Sequence, residues 1–231
     1  MTGMTEADRQ YESVSSAILR RRSVRDFLAR PIDRRHLETA LSLAARAPSG
    51  GNLQPWKITV VAGADLQAFR AEVAVALVDN PLGGNTEYDV YPKSLPDLYR
   101  DRTRQIGEAM YALLGIDRSD REGRRAWFAR NFDFFGAPVG LFCHVHRAMG
   151  PPQWADLGMY LQTLMLALQE QGIDTCAQEA WAAMHPTIDA FLQTDPEFML
   201  FCGLAIGYAN PSAPVNALTS PRDDLVAWRW S

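Results

Sequence analysis

Four short segments carry the residue types best suited to chemistry. Arg21, Arg22, Ser23 and Arg25 set three guanidiniums and a hydroxyl close together. Guanidinium offers a planar fork of donors that fits phosphate, and serine adds another donor. A solvated basic helix end that complements the helix dipole accounts for the same cluster. Pro48, Ser49, Gly50, Asn52 and Gln54 lie in a stretch of small and amide residues. Small residues let backbone approach a ligand, and amides suit a heteroaromatic edge; an ordinary helix-to-strand turn has the same composition. Gln178, Glu179, Ala180 and Trp181 follow a short extended segment. There the chain either aims backbone N–H groups and a tryptophan at a ligand or ends a strand with a packed ring. Ser220 and Arg222 stand in an otherwise uncharged stretch, where a lone arginine is more often a surface residue.

Other chemistries are poorly supported. The chain has no G-x-G-x-x-G, no phosphate-binding P-loop and no G-x-S-x-G. His144 and His146 alternate on an expected strand and share a face, but no third ligand stands at useful spacing. They are expected to be ordinary strand histidines, with no metal. Cys176 is expected to be a buried thiol and not a nucleophile.

The elements that must position these residues follow from periodicity and turn chemistry. A helix with Val14, Ala17 and Ile18 on one stripe runs into the basic cluster. Asp33 is an N-cap, with Ile32 and Leu37 as a hydrophobic staple, for a helix bearing Leu37, Ala40, Leu41 and Ala44. Strands are expected at 57–62, 139–145 and 199–206, and a short extended piece at 175–178. Helices are expected at 65–78, 97–114, 119–130 and 154–171, with Gly115 and Gly172 as stops. Pro186 suits the first turn of another short helix. Residues 79–96, with five prolines and glycines, form a loop.

Composition sets the outer limits. The chain has 231 residues, a net charge of −4 and 47% hydrophobic residues, which describes one globular domain of intermixed helices and strands, not a disordered chain. Lys57 and Lys93 are the only lysines among 23 basic side chains, so the arginine excess matters by position. A mildly acidic chain is a poor general nucleic-acid binder. Its longest apolar run is too short for a bilayer. The polar residues 1–10 do not resemble a leader. Three widely spaced cysteines suit a reduced, cytoplasmic setting.

Taken together, the segments resemble the FMN-dependent nitroreductase family. The family's R-R/H-S-x-R/K-x-F pattern is matched by Arg21, Arg22, Ser23, Arg25 and Phe27, and its A-P-S-x-x-N-x-Q-P-W pattern by residues 47–56. Asn131 through Pro138, Asp174 through Glu179, and the tail residues Asn216, Leu218, Ser220 and Arg222 match further family features. The resemblance extends over nearly the whole chain from Tyr11.

It implies an α+β nitroreductase-like fold: a central, mainly antiparallel sheet flanked by helices, in an intertwined homodimer with FMN at the interface. Residues 1–231 would be a single domain, elaborated at 79–132. Arg21, Ser23 and Arg222 would hold the phosphate, with Ser220 assisting. Arg22 would lie along the ribityl or pyrimidine side, and Arg25 at the N1/O2 edge. Pro48, Ser49, Gly50 and Asn52, with Gln54, would come from the partner subunit. Gln178, Glu179 and Ala180 would lie against the ring. The resemblance further implies ping-pong transfer from NAD(P)H to a small-molecule acceptor such as a nitroaromatic or quinone, with hydride carried by the flavin and no catalytic side chain. Substrate contacts are expected from Tyr88, Tyr91, Tyr99, Arg102 and Trp181, with part of the middle segment as a lid. Rival readings on the same scaffold are dehydrogenation, dehalogenation, ene reduction, or simple FMN storage.

Overall fold

The computed structural model describes residues 14–230; the polar opening segment and Tyr11 lie outside them. The element order is α1 (Val14–Arg20), β1 (Phe27–Leu28), α2 (Arg34–Ala44), β2 (Trp56–Ala62), α3 (Gly63–Asp79), α4 (Asp97–Leu113), α5 (Arg121–Ala129), β3 (Val139–His146), α6 (Pro151–Glu170), β4 (Asp174–Gln178), α7 (His185–Leu192) and β5 (Phe198–Ala209). The expected strands and helices are all present. Asp33 caps α2 by accepting from the Arg35 backbone N–H, and Ile32 packs on the cluster that holds Leu37. Helix α6 begins three residues earlier than expected. Pro151 occupies its first turn, where no amide hydrogen is needed, and the Gln153 side chain accepts from Gly150 N–H at 3.1 Å.

The sheet is antiparallel throughout, in the order β1-β5-β3-β2, with β4 also paired to β5. Because side chains alternate across a sheet, each face builds its own core. Val139, Leu141, Cys143 and Val145 of β3 face α2 and α6, meeting Leu37, Ala40, Leu157, Leu161, Leu164 and Leu168. Phe142 faces the other way, into an aromatic core of Phe69, Phe132, Phe134, Phe135 and Trp181 under α3 and α7. Two strand glycines permit this core. A Cβ at Gly140 would overlap the Phe134 ring, and one at Gly203 would overlap Trp181, so the aromatic rings lie directly on bare backbone.

The β3–β5 register shifts between Cys143 and His144, whose partners are Cys202 and Leu200. Phe201 is the extra residue of a bulge, which interrupts the ladder. The Tyr88 hydroxyl donates to the Phe201 carbonyl, and its ring stacks on Phe201 and meets Trp154 edge-on. The 79–96 loop is thereby fastened to the sheet. One apolar stripe remains uncovered: of the expected α1 face only Ala17 is buried, while Leu19 is 85% exposed. The tail beyond residue 217 is likewise exposed at Leu225, Val226, Trp228 and Trp230.

Candidate functional site: an arginine-lined cavity

The basic cluster is set by strand alternation. Val24 is fully buried, its N–H donates to Thr175 O at 3.0 Å, and Ser23 bridges to Thr175 in parallel. With Val24 facing inward, Ser23 and Arg25 turn outward on either side of it. The C-terminal segment is brought alongside by Asn216, which is 5% exposed. Its Oδ1 accepts from Arg25 N at 2.9 Å, while its Nδ2 donates to Asp26 O at 2.8 Å and Asn210 O at 3.0 Å. Asn216, read from the sequence only as part of a tail pattern, is thus the clamp that joins two segments nearly 200 positions apart.

The result is a cavity of about 1020 Å³ lined by Arg21, Arg22, Ser23, Arg25, Ser220 and Arg222, with α1 and α6 residues completing its wall. Nine other arginines pair with carboxylates; among the described residues, Arg21, Arg22, Arg25 and Arg222 do not. Among the described residues, the Arg222 guanidinium donates to the nearby carbonyls of Ser220 and Pro221, at 3.1 and 2.8 Å. The Arg25 guanidinium donates to Ser23 O, at 3.3 Å. Arg20 and Asp174 also line the cavity, so five guanidiniums face one carboxylate, and this excess of positive charge suits an anion. Cys176 lies close by, but burial raises its thiol pKa despite the opposing effect of Arg25, Ser23 and Arg21. A neutral buried thiol is no nucleophile.

The other expected residues are placed differently. Ser49, Gly50, Asn52 and Gln54 do not line this cavity. They form a tight turn in which Gly51, Asn52 and Gln54 have φ of 57°, 57° and 48°. Gly50 N–H donates to the buried Asp156 at 3.2 Å, and Gln54 N–H to Ser49 Oγ at 3.0 Å. Left-handed backbone at Asn52 and Gln54 costs on the order of 1–3 kcal/mol each, yet it presents their side chains outward, exposed. Pro48 is exposed at the start of the same turn.

Trp181 requires correction as a substrate contact, and the Gln178 side chain is engaged within the fold. Gln178 is 3% exposed; its Nε2 donates to Asn131 O at 2.8 Å and its Oε1 accepts from Trp181 Nε1 at 3.3 Å. Its amide is occupied in the fold. Trp181 has no exposed surface and sits among Phe69, Phe132, Phe134 and Phe142 with ring centroids 4.5–5.6 Å away. The packed-ring reading of that strand end is the correct one. Glu179 and Ala180 keep surface exposure, and desolvation raises the Glu179 carboxyl pKa. Tyr88 is half-buried against the bulge. Tyr91 and Tyr99 are exposed, and Arg102 is bonded to Asp223 of the tail. None of these four lines the arginine cavity.

Sheet, helices and cavity together define an α+β protein with an arginine-lined concavity between α1, α6 and the segment at 218–222. The Nitroreductase family model matches residues 18–208. The chain is 38% identical over 215 residues to the 4-nitrobenzoate reductase of Pseudomonas putida, covering 92% of each chain. It superposes with a TM-score of 0.91 on the crystal structure of the FMN- and NADPH-dependent nitroreductase NfnB from Sphigopyxis sp. strain HMH, at 49% identity, covering 95% of this chain and 100% of that one. The FMN-dependent nitroreductase NfnB of Mycobacterium smegmatis, solved in complex with NADPH, gives 0.87 at 28% identity, covering 95% of this chain and 100% of that one. The chain belongs to the nitroreductase family. Among the described residues no helix is long and apolar enough to cross a membrane.

Proposed function

We propose that this chain is an FMN-dependent oxidoreductase that uses NAD(P)H to reduce nitroaromatic compounds. The observation that carries the proposal is the set of four unpaired arginines around the cavity. The donor set fits FMN: Arg21, Ser23 and Arg222 would hold the phosphate, with Ser220 assisting, and Arg22 would lie along the polar chain. When bound, FMN supplies two-electron chemistry, taken from the nicotinamide and passed to the acceptor in alternate half-reactions. Arg25 would add fixed positive charge at the flavin edge, which would favour the electron-rich state. Gln178, Glu179 and Ala180 would lie against the ring. Nitroaromatics and quinones suit the site because planar electron-poor rings stack.

The second half of the proposal is a homodimer. The strained turn at 48–54 points its amides away from its own cavity, and α1 and the tail leave apolar side chains uncovered. Both features fit a second copy, with Pro48, Ser49, Gly50, Asn52 and Gln54 completing the partner's site. Dilution below the dimer dissociation constant is expected to release flavin, seen as a rise in free-FMN fluorescence coincident with the change in sedimentation. A monomer that keeps its flavin would contradict the shared site. Residues 79–132 would be the elaborated part of a single domain, and part of this segment, which carries Tyr88, Tyr91, Tyr99 and Arg102, would act as a lid that selects the acceptor.

Anaerobic titration tests the activity. NADPH or NADH is expected to bleach the flavin rapidly, and 4-nitrobenzoate to restore its colour with formation of a reduced nitrogen product. A yellow protein that neither nucleotide reduces would instead be an FMN store.

A further inference from the structure

On the α7 side of the sheet, outside the arginine cavity, four titratable side chains converge from three distant segments. Glu87 comes from the 79–96 loop, His144 from the end of β3, and His185 and Asp189 from successive turns of α7. His185 Nδ1 lies 3.6 Å from Glu87 Oε2 and 3.5 Å from Asp189 Oδ2. The ligating atoms of Glu87, His185 and Asp189 all fall within 4.8 Å of one another. Asp189 Oδ1 faces His144 Nε2 at 3.5 Å, and the His144 side chain is only 2% exposed. Glu87 Oε2, Asp189 Oδ1 and His144 Nε2 are shielded from solvent and lack a hydrogen-bond partner among the described residues. Buried polar atoms are normally satisfied, so three orphans at one spot need an explanation.

The spacings have the form of an unfilled coordination sphere. They are long for hydrogen bonds. Nitrogen and carboxylate oxygen bind zinc at ~2.0–2.2 Å, which puts neighbouring ligands of a tetrahedron about 3.3–3.6 Å apart. Arg147 holds the other Glu87 oxygen, Oε1, at 2.7 Å and so leaves Oε2 free to ligate. His144, against the second Asp189 oxygen, has the position of an outer partner that orients a ligand. An imidazole with two carboxylates suits a borderline divalent cation better than calcium, which takes oxygen alone. Partial exposure of His185 and Asp189, at 23% and 25%, leaves a way in and room for a water ligand.

We propose that Glu87, His185 and Asp189 form a zinc-class divalent cation site, with His144 positioning Asp189. The cation fastens the 79–96 loop to α7, next to where Gly84 N–H already donates to Ala183 O at 2.7 Å. The ion is structural: none of these residues lines the arginine cavity, and the site is independent of the flavin.

The test uses untagged holoprotein, stripped with a chelator, exchanged into chelator-free buffer and titrated with zinc chloride by calorimetry, with thermal unfolding followed in parallel. About one zinc per chain is expected, with a rise in Tm on the order of 5 °C at saturating zinc. Asp189→Asn and His185→Gln should abolish both. His146→Gln should keep both, because His146 lies outside the cluster, its Nδ1 accepting from Ala148 N–H. FMN content should not change. If either cluster variant fails to fold, the wild-type titration still decides. No stoichiometric zinc binding by the wild type, or undiminished binding by both cluster variants, overturns the site and leaves a charge network centred on His185.

Discussion

Replacing Arg21 and Arg222 together by alanine is expected to yield a folded protein that purifies without FMN. Charge-assisted hydrogen bonds to a phosphate contribute about 1.5–3 kcal/mol each. Loss of one arginine should therefore weaken FMN binding roughly 10- to 150-fold. Two losses compound towards a thousandfold or more if they act independently. The fold should tolerate the change, since neither guanidinium pairs with a carboxylate among the described residues and Arg222 reaches only adjacent carbonyls. Lysine at the same positions keeps the charge but loses the two-pronged geometry, and should fall between. The measurement is flavin absorbance per chain, with Tm compared between apoproteins so that ligand stabilisation does not enter. Arg34→Ala is the control, because Arg34 forms an exposed pair with Glu38 of the kind that contributes little. Full flavin occupancy in the double variant would remove the phosphate assignment.

What could be foreseen from the sequence divides along physical lines. Local rules placed the Asp33 cap, the Gly115 and Gly172 stops and the apolar strands β3 and β5, because each depends on neighbours in the chain. The arginine set was legible through motif resemblance, but its assembly depends on Asn216, whose three hydrogen bonds span the two chain ends. The bulge at Phe201 was not foreseen, since nothing in an apolar run marks an extra residue. Left-handed backbone at Gln54 was equally hidden, whereas Gly51 and Asn52 in the same turn are residue types that favour it. The Glu87–His185–Asp189 cluster had no local signature. His185 and Asp189 are an unremarkable helical i, i+4 pair until a loop a hundred residues earlier lies over them.

Trp181 is where sequence reasoning about function misled most, and it carries the largest expected effect on stability. Next to Gln178 and Glu179, a tryptophan looks placed to stack on a ligand. The ring is instead packed in the aromatic core, against Gly203 and bonded to Gln178 Oε1. Trp181→Ala should destabilise by about 3–5 kcal/mol, a large share of the ~5–15 kcal/mol that holds a typical domain together. For a chain of this size that corresponds to a fall in Tm of roughly 6–20 °C. Gly203→Ala should destabilise through the same contact from the opposite side, because the new methyl group and the indole cannot share the space. In Gly203→Ala/Trp181→Ala the methyl meets no ring, so the double variant should lose less than the sum of the single losses. Thermal unfolding of the three variants measures this coupling directly. A ligand contact behaves otherwise: Trp181→Ala would then leave Tm of the apoprotein unchanged and alter only KM for the acceptor. That outcome would return the ring to the substrate pocket.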